Sequence, residues 1–143
     1  MTDHFKGACL CGALQYECNA RPIAQFICYC KDCQKATGSV MAPAFLIKKS
    51  QVTITGQSSE YKVTGASGKP VIRHFCSTCG SRMYEQPTAM GQVYIFNSGS
   101  LADQNEFKPE GHFWVSSKPD WFKITNDLPQ DPGQPSFSDR NSL

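Results

Sequence analysis

The sequence predicts a single-domain, mainly β protein. Short segments that alternate apolar and polar residues recur at spacings of about 8 to 12 residues, with turn residues between them, as in all-β domains. No segment shows sustained helical periodicity. A chain of 143 residues with 40% hydrophobic residues has the length of one domain and enough apolar side chains for a real core.

The elements follow from local patterns. In the first candidate strand, Leu14, Tyr16 and Cys18 alternate with polar residues, which is the period of a half-buried strand. Residues 34–38 predict one short helical turn that ends at a glycine. We expect a domain over 1–130 and a mobile or peripherally packed tail over 131–143, which is rich in Pro, Gly, Ser and Asp. The predicted strands are 13–18, 23–27, 41–47, 52–56, 61–65, 71–75, 81–85, 93–96 and 111–115.

Composition excludes several classes of partner. A net charge of +2 is too small to favour nucleic acid or an anionic membrane. No stretch approaches the roughly 20 apolar residues of a membrane span, and the first residues lack the apolar run of a secretory signal. We therefore expect a soluble cytoplasmic protein without nucleic-acid or membrane partners, and a homo-oligomer is compatible with the sequence.

The chain contains eight cysteines, which is a high number for a cytosolic domain. Thiols stay mostly reduced in the cytosol, so their spacing favours metal ligands over disulfides. The alternative is a secreted disulfide domain that has lost its leader. Cys18 has no cysteine neighbour at ligand spacing and is interpreted as a small buried hydrophobe.

An outer set of cysteines combines Cys9-x-Cys11 with Cys76-x2-Cys79, and a glycine follows each pair. Four thiolates close a tetrahedral structural zinc site, and thiolates are soft ligands that suit zinc. A redox-active pair or an iron site is the alternative. The redox alternative requires a βαβ context that this sequence does not show.

An inner triplet consists of Cys28, Cys30 and Cys33. Three ligands on one metal leave a fourth position open for water or a substrate thiol. Two alternatives remain: a fourth protein ligand closes the site, or three free thiols hold no metal. His74, His112 or Cys18 could serve as the fourth ligand.

Three stretches together resemble the glutathione-dependent formaldehyde-activating enzyme family, which shares its domain with centromere protein V. They are Gly7-Ala8-Cys9-Leu10-Cys11-Gly12, Cys28-Tyr29-Cys30-Lys31-Asp32-Cys33 with Gly38, and Phe75-Cys76-Ser77-Thr78-Cys79-Gly80. Further matches are His112-Phe113-Trp114, Lys118, Trp121 and Asp127-Leu128-Pro129, and the resemblance covers roughly residues 5 to 130.

The resemblance implies small antiparallel sheets arranged like a tent around zinc, with two zinc ions per chain. Cys9, Cys11, Cys76 and Cys79 match the structural zinc ligands, and Cys28, Cys30 and Cys33 match those of the catalytic zinc. The implied activity is carbon–sulfur lyase chemistry on the glutathione–formaldehyde adduct. Two positions depart from the family's pattern: Tyr29 stands where many members have histidine, and Gln34 where many have arginine.

Our first hypothesis is an enzyme in which a small thiol or thiol adduct binds the open zinc through its sulfur. Tyr29 and His112 are the candidate substrate-contacting and proton-transferring residues. The candidate cations for the carboxylates of a glutathione-like thiol are Arg73, Lys31 and Lys35. The rival hypotheses are a zinc-binding interaction module and a thiol-based metal or redox buffer.

Overall fold

The structure, a computed structural model, describes residues 1–135. This part of the chain forms ten β-strands, one α-helix and five 3-10 helices, which confirms the prediction of a mainly β domain. The strands are β1 (Phe5–Ala8), β2 (Gln15–Cys18), β3 (Ala24–Cys28), β4 (Ala42–Lys48), β5 (Val52–Thr55), β6 (Ser58–Thr64), β7 (Pro70–Cys76), β8 (Arg82–Pro87), β9 (Val93–Asn97) and β10 (His112–Phe113). The helices are α1 (Lys31–Thr37) and the 3-10 helices Lys49–Gln51, Thr88–Met90, Ser98–Ser100, Gln104–Glu106 and Val115–Ser117.

The strands form two sheets of unequal size. The smaller has the order β1-β2-β5, and the larger has the order β10-β3-β4-β9-β8-β7-β6. The resemblance implied small antiparallel sheets, whereas the larger sheet has seven strands and includes one parallel pair, β10 with β3. Parallel neighbours need a long connection, and most of the chain lies between these two strands.

Strand β1 is the element that the sequence patterns missed. It has four residues, and its inward positions are taken by Phe5 and Gly7. A run this short, with a glycine at one of two inward positions, carries too little alternation to be recognised as a strand. Within residues 1–135, no helix is long and apolar enough to cross a membrane.

Strand β4 separates two hydrophobic clusters because its alternate side chains point to opposite faces of the sheet. Phe45 belongs to a cluster with residues of the small sheet, where its ring stacks on Phe96 at 5.4 Å. Ala42, Ala44 and Leu46 belong to a second cluster, which also contains two cysteines of the inner triplet, Cys28 and Cys33. The fold therefore places the triplet against one of its cores.

The predicted tail begins in close contact with the domain. Asp131 donates its backbone N–H to the carbonyl of His112 at 2.8 Å, and Trp114 donates to the carbonyl of Gly133 at 3.2 Å. These bonds fix residues 131–133 against β10 and the turn after it. Residues 136–143 of the predicted tail lie outside the described residues.

Candidate metal centres

The outer cluster joins two parts of the chain that are far apart in sequence. The sulfurs of Cys9, Cys11, Cys76 and Cys79 all lie within 4.8 Å of one another. Cys11 Sγ lies 3.6 Å from Cys9 Sγ and 3.7 Å from Cys76 Sγ, so it bridges the two pairs. Four soft sulfur donors at these separations fit a tetrahedral metal ion.

Each cysteine pair of the outer cluster lies on a tight turn whose amides face the sulfurs. The turns require a left-handed backbone at Gly12 and Gly80, with φ of 81° and 75°. Leu14 N–H donates to Cys9 Sγ at 3.3 Å, and Thr78 N–H donates to Cys76 Sγ at 3.4 Å. Such hydrogen bonds stabilise the anionic form of sulfur and orient it for a metal.

Protonation differs between the thiols of this cluster. The Ser81 hydroxyl lies 3.2 Å from Cys79 Sγ, and the hydrogen bonds of Ser81 lower the pKa of Cys79 to about 5. The Ala13 hydrogen bond acts to lower the pKa of Cys11, but desolvation and the neighbouring cysteines raise it to about 11. Without metal the cluster therefore mixes thiolate and thiol. A cation would displace the remaining protons.

The inner triplet is built by the end of β3 and the start of α1. Cys28 is the last residue of β3, Cys30 is the N-cap of α1, and Cys33 lies in the first turn. Cys33 N–H donates to Cys30 Sγ at 3.3 Å, so the side chain of Cys30 caps the N-terminus of the helix. The three sulfurs lie within 4.8 Å of one another, because the first turn of α1 brings Cys33 back toward Cys28 and Cys30.

The three thiols of the triplet differ in pKa: that of Cys30 is lowered, and those of Cys28 and Cys33 are raised. Hydrogen bonds from Cys28 and Cys33 lower the pKa of Cys30 to about 3. The same hydrogen bond with Cys30 raises the pKa of Cys28 to about 12, and the pKa of Cys33 is raised as well. The metal-free triplet therefore carries one thiolate that accepts hydrogen bonds from two thiols. A bound metal ion would replace the protons of those two thiols.

The three predicted candidates for a fourth ligand lie elsewhere. His74 is hydrogen bonded to Ser58 Oγ at 2.7 Å and to Gln86 Oε1 at 2.6 Å, and Cys18 lies in the core beside the small sheet. Both ring nitrogens of His112 are hydrogen bonded to other residues, Tyr29 and Asn126. Within residues 1–135, the group of close ligand atoms at the triplet consists of the three cysteines.

The triplet opens onto a cavity of about 580 Å³. Cys28, Cys30 and Cys33 form part of its wall. The rest of the wall is mainly apolar. It includes Phe26 of β3, Val71 of β7, Met90 of the 3-10 helix Thr88–Met90, Ile95 of β9, Phe113 of β10 and the following Trp114. A volume of this size accommodates a small-molecule ligand.

A buried ion pair faces the same cavity. Arg73 and Glu85 are opposite each other on β7 and β8, and the guanidinium Nη1 lies 3.1 Å from Glu85 Oε1. Burial raises the pKa of Glu85, although Arg73 and Arg82 act to lower it. Burial acts against the charge on Arg73, but Glu85 and then the cysteines of the triplet raise its pKa above the ordinary value. The guanidinium therefore stays charged beside the sulfurs.

Sequence reasoning named Arg73 as one of three cations and missed Glu85. The signal for Glu85 was a carboxylate inside a predicted strand, 81–85, and the structure turns this side chain toward the cavity. An inward charge in a strand implies a partner or a function.

Tyr29 and His112 form a buried pair. Tyr29 is 1% exposed, its Oη lies 3.0 Å from His112 Nδ1, and His112 Nε2 lies 3.0 Å from Asn126 Oδ1. Neither side chain lines the cavity. Gln34 donates its side-chain amide to the carbonyls of Tyr29 and Ser117 at 2.8 and 2.9 Å. These hydrogen bonds support the loop that carries the triplet. No pattern in the sequence indicated that Asn126 would bind His112.

A mainly β domain with one four-cysteine and one three-cysteine cluster defines a class of proteins that can hold two metal ions. The chain belongs to the glutathione-dependent formaldehyde-activating enzyme family, whose family model matches residues 4–117.

Two individual proteins are similar to this chain. A Halomonas elongata protein named "Putative glutathione-dependent formaldehyde-activating enzyme" is 28% identical over 129 residues, which cover 83% of this chain and 80% of that protein. A crystal structure of a Rhodobacter sphaeroides protein is similar with a TM-score of 0.54 and 25% identity, covering 68% of this chain and 87% of that chain.

Proposed function

We propose that this protein is a zinc-dependent carbon–sulfur lyase that acts on a glutathione or other thiol–aldehyde adduct. The outer cluster would hold a structural zinc and the inner triplet a catalytic zinc. The observation that carries the proposal is the triplet itself, in which three sulfurs have no fourth protein ligand among residues 1–135 and open onto a cavity.

The sulfur donors of the triplet fit zinc because they are soft and close enough to share one ion. When bound there, zinc supplies a positive centre that favours the thiolate form of a sulfur ligand. In the lyase direction the carbon–sulfur bond of the adduct breaks and its electron pair goes to sulfur. The hydroxyl oxygen of the adduct loses its proton and becomes the aldehyde carbonyl oxygen.

The chain's own residues position the two ends of such an adduct. Lys31 and Arg73 line the cavity, whereas Lys35 does not. Arg73 already donates to Glu85, so the exposed Lys31 is the better placed cation for a carboxylate of the thiol. The charged Arg73 guanidinium is suited to stabilise negative charge on sulfur or oxygen near the triplet.

Tyr29 and His112 take an indirect part in this proposal. Their side chains hydrogen bond to each other and do not line the cavity. They would hold the triplet loop against β10 and leave proton transfer to water in the cavity.

The rival of a thiol-based metal or redox buffer draws on one observation, the low pKa of Cys30, because a thiolate binds metal and reacts with oxidants. Turnover separates this rival from the enzyme. A buffer binds metal stoichiometrically and leaves thiol–aldehyde adducts unchanged.

The test combines metal analysis with turnover of a panel of thiol–aldehyde adducts. The wild-type protein is expected to contain two zinc ions and to release aldehyde. Cys30→Ser should keep the fold, lose one zinc and lose turnover, while Cys18→Ala, outside both clusters, should keep both. A folded Cys30→Ser variant that still turns over every adduct would overturn the proposal.

A further inference from the structure

The cavity beside the triplet has an aromatic wall. Phe26 lies two residues before Cys28 on β3, and its ring stacks on Phe113 with centroids 4.7 Å apart and an interplanar angle of 19°. Phe113 pairs with Cys28 across the parallel β10–β3 ladder. The aromatic surface therefore adjoins a sulfur of the triplet, where the carbon skeleton of a sulfur-bound ligand must lie.

Trp114 extends this wall in a strained conformation. Its φ and ψ are 60° and 36°, which makes it the one non-glycine residue with positive φ within residues 1–135. This conformation costs free energy, and the surrounding hydrogen bonds hold it. Its backbone N–H donates to Gly133, and its indole Nε1 donates to Gln134 Oε1 at 3.0 Å. The fold thus maintains an indole at the cavity at a local cost.

The charges of the cavity cancel inside it. Of its charged lining residues, Arg73 and Glu85 are buried and paired, while Lys31 and Asp32 are exposed neighbours at the start of α1. Among residues 1–135, the charged groups in the interior of the cavity are therefore this ion pair, in which Arg73 Nε is a buried donor without a hydrogen-bond partner. Apart from Arg73 Nε, the mainly apolar interior offers no ionic partner that would compensate several carboxylates or an ammonium group of a ligand for their lost hydration.

On the basis of the proposed function of the triplet, we propose that the natural adduct carries an apolar aromatic or branched aliphatic group. This group fills the cavity while the adduct sulfur meets the triplet. Formaldehyde contributes a single carbon, which would fill little of a cavity of about 580 Å³. The apolar group comes with the thiol or with the aldehyde, since either is attached next to the sulfur.

The test is a fluorescence titration of the full, zinc-loaded chain. The chain has two tryptophans, and Trp121 is 73% exposed and outside the cavity lining, so Trp121→Phe leaves Trp114 as the reporter. The probes are 2-phenylethanethiol, 2-mercaptoethanol and glutathione. Burial of a phenyl group predicts at least about tenfold tighter binding of 2-phenylethanethiol than of 2-mercaptoethanol. The adduct of 2-mercaptoethanol with phenylacetaldehyde tests the aldehyde side.

A matched pair of variants ties the preference to the cavity. Val63 and Val52 are both half-buried valines on edge strands, but Val63 lines the cavity and Val52 belongs to the small sheet. Val63→Asp should weaken binding of 2-phenylethanethiol about tenfold and leave that of 2-mercaptoethanol unchanged. Val52→Asp should leave both affinities unchanged, with circular dichroism verifying the fold of each variant.

The outcomes separate this inference from the proposed function. If 2-mercaptoethanol or glutathione binds as tightly as 2-phenylethanethiol and as the adduct of 2-mercaptoethanol with phenylacetaldehyde, the apolar preference is wrong. The open thiol site then still stands. If no thiol changes the fluorescence of Trp114 or competes with a chelator for the zinc of the triplet, the open thiol site is wrong. The apolar preference then fails with it.

Discussion

The guanidinium of Arg73 donates to Glu85 Oε1 at 3.1 Å, and both side chains lie at the cavity that the inner triplet faces. Their side chains are 8% and 13% exposed, so little water screens the pair. Arg73 also interacts electrostatically with Cys33 and Cys30. It therefore links the carboxylate on β8 electrostatically to the candidate metal ligands.

Replacement of this arginine should weaken metal binding at the triplet. A zinc ion with three thiolates has one net negative charge, which the Arg73 guanidinium offsets. Arg73→Met is expected to raise the dissociation constant of the second zinc by about tenfold or more, whereas Arg73→Lys should have a smaller effect. Chelator competition measures both. The control is Arg21→Met, because Arg21 pairs with Asp3 on the exposed surface.

Equal zinc affinities for the wild type, Arg73→Met and Arg73→Lys would show that the charge of Arg73 does not reach the metal site. Urea unfolding of the same variants separates a loss of metal affinity from a loss of overall stability.

The two clusters should respond differently to loss of a thiol. Cys76→Ser removes a buried ligand that joins the two distant halves of the outer cluster, so we expect it to lower the melting temperature markedly. Cys30→Ser removes a half-buried ligand of a local triplet and should leave the fold intact with one metal fewer. Thermal unfolding and metal analysis of both variants measure this difference. Global unfolding of Cys30→Ser would contradict a purely functional role for the triplet.

Tyr29→Phe is expected to lower stability without changing metal content. The substitution leaves His112 Nδ1 buried without its hydroxyl partner, which costs about 1–3 kcal/mol. The matched control is Tyr16→Phe. It removes a 2.9 Å hydrogen bond to Ser100 from a buried tyrosine in the hydrophobic cluster that contains Phe45. A change in the pH profile of turnover for Tyr29→Phe, absent from Tyr16→Phe, would instead assign Tyr29 a direct part in proton transfer.

Cys18 should make the protein less stable in alkali. Burial raises the pKa of its thiol to about 12, from an ordinary value of 9.0. The unfolded chain loses this proton first, so the contribution of Cys18 is fully present below pH 9.0 and is lost as the pH rises toward 12. Over that window the wild type should lose up to about 1.4 kcal/mol per pH unit more than Cys18→Ala. Denaturant unfolding between pH 8 and pH 11 compares them, and parallel curves would contradict the expectation.

Local patterns predicted most of the strands. These patterns identified all eight strands from β2 to β9 within a few residues of their observed bounds, and they placed β10 inside a longer predicted run, 111–115. The helical turn after the triplet begins earlier than predicted, at Lys31, because the Cys30 thiol caps the helix. The pairing of β10 with β3 depends on contacts between distant segments, which alternation within a segment does not encode.

The sequence by itself determined the inner triplet and each pair of the outer cluster, since the spacing of cysteines within each turn is a local property of the backbone, whereas the fold brings the two outer pairs together. It also determined the mainly β class. Tertiary structure decided what surrounds the triplet: the apolar wall of Phe26, Phe113 and Trp114, and the pairing of Arg73 with Glu85. It also turned Tyr29 and His112 toward each other. These arrangements depend on which distant strands pack together, and that choice is made by burial summed over the whole domain.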